Sequence, residues 1–177
     1  MRGVEVLGQA MLAVNRHIIS KVLPEPLPSE GFRKMLGFWR SVQRAGDLPP
    51  VSAINPCIMP KEVLPKITII GVEDGDKSLR IRMTGEAIKS ASGSDNTHRF
   101  GEDIEGGEDI LRAYRHCIEE RTLLYCQGPA SWSVNNYKTY RSLLMPFVTP
   151  DGRIRRVVTY LEIEIDPIAW PLNQERT

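Results

Sequence analysis

The sequence of 177 residues predicts an α+β fold, a five-stranded antiparallel sheet with helices on one face, preceded by an N-terminal helical extension. Three observations carry this. Five segments between residues 67 and 165 are rich in β-branched and aromatic residues, several with period-two alternation; two segments, 30–45 and 107–120, have helical period. Their order is two strands, then helices, then three strands. Strands joined by hairpins pair antiparallel, so the helices between the second and third strands must cross one face of the sheet.

Residues 3–23 read as an amphipathic helix. Val4, Leu7, Met11, Val14 and Ile18 recur at 3-4-3-4 spacing, and Leu12, Ile19 and Val22 widen the stripe. The PEPLP run that follows cannot continue a helix, because proline lacks the amide donor and clashes with the preceding turn. The helix is therefore an appendage. It either forms a homodimer interface through Val4, Leu7, Met11, Val14 and Ile18 or packs on its own domain. Residues 1–28 make this helix and a linker, 29–168 the main domain, and 169–177 a C-terminal tail.

Ser29 is a good N-cap for a second helix over about 30–45, with Phe32, Met35, Leu36, Trp39 and Val42 as its buried stripe and Gly46 at its end. The proline-rich run 47–65 reads as an ordered crossing segment with one helical turn near 60–64. ITIIGV (67–72) is the first strand, and the Asp74-Gly75 signal turns it into LRIRMT (79–84). Alternation puts Leu79, Ile81 and Met83 on the covered face and Arg80 and Arg82 on the wet one. Gly85 permits a sharp exit into a short helix, EAIKSA. A helix over about 107–120 carries Ile110, Ala113, Tyr114, Cys117 and Ile118 in one stripe. Three strands close the domain, the last two joined at Pro150-Asp151-Gly152.

Composition narrows the function. With 41% apolar and 25% charged residues the chain reads as soluble and globular, and a net charge of +1 gives no field that favours nucleic acid or anionic lipid. The basic cluster Arg153, Arg155 and Arg156 follows a turn and reads as a solvated strand end. No apolar run approaches the roughly 20 residues of a membrane span. The N-terminus lacks the pattern of a signal peptide. Three cysteines without a C-x-x-C pair point to reduced thiols in the cytoplasm. No G-x-S-x-G, P-loop or G-x-G-x-x-G is present, so the sequence predicts no enzyme. Three scattered histidines predict no metal site. His17 reads as structural or exposed, and His98 as a loop residue.

The space enclosed between sheet and helices is where a small molecule binds in domains of this type. Its walls are expected to include Ile81, Met83, Ile88, Tyr114, Ile118, Trp132, Tyr140 and Leu144, with Tyr140 and Arg141 as polar groups that orient a ligand. The alternative is a solid core and a purely interacting or dimerising module. A small α+β enzyme is a further alternative.

The order of short motifs resembles a PAS domain, and more closely a divergent, mostly uncharacterised bacterial PAS-like family common in alphaproteobacteria. The residues concerned are Phe38-Trp39, Asp47-Leu48-Pro49-Pro50, Ile54-Asn55-Pro56, Leu64-Pro65, Arg80-Ile81-Arg82-Met83-Thr84-Gly85 and Gly93-Ser94-Asp95-Asn96-Thr97, then YRSLLMPF and Asp151-Gly152. The similarity covers about residues 32–165 and departs from the family at Ser94 and His98. It implies a cytoplasmic sensory or regulatory domain that binds a small molecule, or relays a signal by dimerisation, to a downstream signalling protein. Haem-binding PAS sensors carry a histidine on the helix matching 107–120. Here His116 lies about 120° from the apolar stripe, so no haem or other cofactor is expected.

Overall fold

Alternation and turn chemistry dominate the second half of the chain, and the elements follow them closely. The computed structural model describes residues 11–14, 17–73, 75, 78–134 and 138–165. Two short strands come first, β1 (Met11–Val14) and β2 (His17–Ser20), then helix α1 (Glu30–Ser41). Strands β3 (Ile67–Glu73) and β4 (Ser78–Thr84) lead into α2 (Glu86–Ser92) and α3 (Glu108–Glu119), and β5 (Leu124–Pro129), β6 (Lys138–Val148) and β7 (Ile154–Ile165) follow. The seven strands form one antiparallel sheet in the order β1-β2-β5-β6-β7-β3-β4. β4 and β5 are far apart in that order, so the chain between them must traverse the sheet, and α2 and α3 lie on that traverse.

Three expectations are corrected. The sheet has seven strands because residues 11–14 and 17–20 are a hairpin, with no helix there. β2 pairs with β5, which places Ile19 opposite Cys126. Local helical spacing loses to a free sheet edge that supplies backbone partners. Met11 and Val14 therefore lie in β1 and Ile18 in β2, so no helical dimer seam forms there. Val4 and Leu7, and the tail 169–177, lie outside the described residues.

Secondly, helices cover both faces. Tyr125, Leu143 and Tyr160 are cross-strand neighbours on one face, alternating with Leu124, Leu144 and Thr159 on the other. α1 lies on the first face: the Phe32 ring is 5.0 Å from that of Tyr160, edge-on, and 6.1 Å from that of Tyr125. The Trp39 indole donates to the Pro146 carbonyl at 3.1 Å. Ser29 caps α1 as its sequence suggests, accepting from Phe32 N, and its hydroxyl also donates to Glu162 at 2.6 Å. α3 lies on the other face, where Tyr114 Oη is 2.7 Å from Thr159 Oγ1.

Thirdly, strict alternation fails in β4. Ile70 pairs with Ile81 but Ile69 pairs with Met83, so Arg82 is an extra residue. This bulge turns the strand over. Ile81 and Thr84 face the α3 side, and Met83 faces away with Ile69. Gly85 follows with an ordinary φ of −68°, so conformational freedom is not its purpose. A Cβ there would stand 2.3 Å from the Pro65 carbonyl oxygen, and glycine serves close backbone approach.

Candidate functional site

The face shared by α2 and α3 holds a cavity of about 110 Å3. Sheet residues from β3 to β7 form its floor, among them Ile70, Leu79, Ile81, Thr84, Cys126, Tyr140, Ser142, Leu144, Thr159 and Leu161. Ile88 of α2 and Ile110, Leu111, Ala113 and Tyr114 of α3 form the roof, and Trp132 from the loop after β5 closes a side. No Asp, Glu, Lys, Arg or His side chain lines it among the described residues.

Six of the residues expected around a pocket lie together here: Ile81, Ile88, Tyr114, Trp132, Tyr140 and Leu144. Three do not. Met83 is turned to the opposite face by the Arg82 bulge, beside Ile69, Val51 and Ile54. Ile118 packs against the core, but it lies four residues, about 6 Å along the axis, beyond Tyr114 and past the end of the cavity. Arg141 neighbours Tyr140 in a strand, so the two side chains take opposite faces. Its guanidinium pairs with Glu164 and lies 3.8 Å from Glu162. Thr84 is the cavity residue that alternation alone hides. Only the bulge brings it in.

Most polar side chains around the cavity have a partner. Tyr114 and Thr159 bond each other. Burial holds the Tyr114 phenol well above its usual range despite that bond. The Cys126 thiol, bonded to Ser142, is pushed up to about 12 by burial. Cys117 is likewise held up by burial, and its thiol donates to the Thr122 carbonyl at 3.2 Å. Neither of these thiols is poised as a nucleophile. Cys57 is exposed and does not line the cavity. Ser92 donates to the Lys89 and Ser94 carbonyls, and Asn96 Oδ1 accepts from Ser94 and Arg99, whereas Thr84 Oγ1 and Trp132 Nε1 are buried with no hydrogen-bond partner among the described residues.

Tyr140 is satisfied from the hairpin. Its Oη is 3.1 Å from His17 Nδ1, and His17 Nε2 is 3.1 Å from Asp109 Oδ2 in the first turn of α3. His17 is only 5% exposed. It sits over Gly128, where a Cβ would come within 2.6 Å of Nδ1. The sheet, the hairpin and α3 thus meet in a chain Asp109–His17–Tyr140 that runs from near the surface to the cavity wall. Burial pushes the Tyr140 phenol far up, so it stays protonated. Sequence reasoning missed His17 because it followed the helical spacing. The signal it passed over was two apolar runs, MLAV and HIIS, separated by only two residues beginning with asparagine.

The remaining histidines stay apart from this site. His98 is exposed in the 93–100 segment with φ of 73°, and His116 is half-buried on α3 away from the cavity. Among the described residues no group of three or more His, Cys, Asp or Glu side chains is placed to hold a metal ion. No helix among them is long and apolar enough to cross a membrane. Comparison with protein-family models, with curated proteins and with solved structures yields no match.

Proposed function

We propose that this chain is a PAS-like regulatory domain that holds a small molecule between its sheet and α3, and passes the state of that site to a partner protein. The observation that carries the reading is the cavity with two buried, unpartnered polar atoms in its lining, Thr84 Oγ1 and Trp132 Nε1. A buried donor left without a partner costs about 1–3 kcal/mol, so a domain that merely needed a filled core would gain by replacing both with apolar groups. The antiparallel sheet with α2 and α3 inserted between β4 and β5 is compatible with the PAS-like reading. Among the described residues the lining carries no charged side chain, and burial keeps its Cys126 thiol protonated, which favours binding over catalysis.

Native mass spectrometry of the protein as isolated from cells tests this. The expected result is a non-covalent small-molecule adduct that Leu144→Trp removes. Leu144 is 2% exposed and lines the cavity, so the larger ring occupies ligand space. Bare protein in both forms, together with a stability loss of about 1–3 kcal/mol in Leu144→Trp, is the signature of a solid core and would replace sensing with a pure interaction module.

A further inference from the structure

The cavity's size and its polar inventory restrict what it accepts. It measures about 110 Å3. A protein cavity of about 150 Å3 lined by aliphatic and aromatic residues stays dry and takes up benzene, so this one suits a single small ring or a branched group of comparable bulk. No charged side chain among the described residues lines it, and an ion placed there would lose its hydration without a counter-charge.

The hydrogen-bond roles can be worked out from the chain behind Tyr140. The Asp109 carboxylate only accepts, so His17 Nε2, 3.1 Å away, is the ring nitrogen that donates to it. In the Nε2–H tautomer that Asp109 favours, Nδ1 is the acceptor and the Tyr140 hydroxyl donates its one proton to it. Tyr140 therefore has acceptor capacity, and no proton, left for a neighbour. Trp132, whose ring centroid is 6.4 Å from that of Tyr140, has the opposite character: its indole N–H only donates, and it is unpartnered. Thr84 Oγ1 either donates or accepts.

From this we infer that the cavity selects an uncharged, single-ring-sized ligand bearing a hydroxyl or comparable donor–acceptor group, its oxygen accepting from Trp132 and its proton going to Tyr140. This rests on the proposal that the cavity is a ligand site. His17 and Asp109 are positioning residues, because they fix which end of the Tyr140 hydrogen bond faces the ligand.

Three single-ring probes separate the possibilities: benzene, phenol and benzoate, titrated into the full chain by calorimetry and followed at the Trp132 indole N–H by NMR. Phenol is expected to bind about tenfold or more tightly than benzene, to shift the Trp132 N–H resonance, and to exceed benzoate by a wider margin. In Tyr140→Phe the preference for phenol over benzene is expected to shrink several-fold while benzene binding persists. If removing the Tyr140 hydroxyl unfolds the chain, Trp132→Phe serves instead and is expected to reduce the same preference. Equal binding of phenol and benzene, or benzoate binding as tightly as phenol, overturns the selectivity and leaves the cavity a binding site. Failure of all three to bind overturns both the selectivity and the ligand site itself.

Discussion

At the scale of single residues, Gly128 and His17 show how a position without chemistry of its own sustains one that has it. His17 reaches Tyr140 only because the residue beneath it has no side chain. Gly128→Ala is expected to destabilise the domain by about 1–3 kcal/mol by overpacking, measured by urea unfolding. In a His17→Ala background the same change is expected to cost much less, because the obstructed ring is gone. The difference, read as a double-mutant cycle, gives the coupling directly. An equal cost in both backgrounds would mean that the ring is not what Gly128 accommodates. Legibility at this scale followed a simple rule. Ile81, Ile88, Tyr114 and Leu144 announced themselves by periodicity. Arg141 and Tyr140 are adjacent in one strand, and the sequence reading that assigned both to one pocket ignored the pleat.

At the scale of elements, the β4 bulge decides which side chain enters the cavity. Deleting Arg82 removes the surplus residue and leaves Ile81 opposite Ile70, Met83 opposite Ile69 and Thr84 opposite Thr68, so Thr84 is expected to stay on the cavity face. Phenol binding is expected to persist in that variant and to be lost in Thr84→Met, where a longer side chain fills the space and a hydroxyl leaves it. Retained binding by folded Thr84→Met, measured by the same calorimetry, would show that Thr84 is dispensable. A bulge is invisible in LRIRMT because nothing in the composition marks the surplus residue. Its register is set by partners on β3 and by the 98–100 segment, where Ile81 N donates to the Arg99 carbonyl and Arg80 stacks on Phe100. Residues 11–20 failed for a related reason. Their spacing supports a helix locally, and the β5 edge that captures them is more than a hundred residues away in sequence. By contrast α1 and α3 were legible because cap, stripe and terminus agree, although α1 stops at Ser41, four residues before Ala45.

On the scale of the whole molecule, one connected core extends through the sheet. It includes Phe32 and Met35 from α1, Leu143, Leu144, Val158 and Tyr160 from the strands, and Tyr114 and Cys117 from α3. Phe32→Ala, on the face away from the cavity, is expected to cost about 3–5 kcal/mol. The near-ultraviolet signal of the cavity-side aromatics is expected to melt together with the far-ultraviolet signal. Separate transitions would show two independently folding layers. The antiparallel α+β layout was readable from the order of strand and helix signals. That α1 would take the opposite face was not, since an amphipathic stripe declares only that one side is covered and never by which surface. That placement has a further consequence. Thr159 under the cavity and Tyr160 under α1 are consecutive residues, so the partition between the two compartments is one peptide thick. The side chains that seat the outer helix and those that floor the cavity thus spring from a single shared wall, with no layer between them.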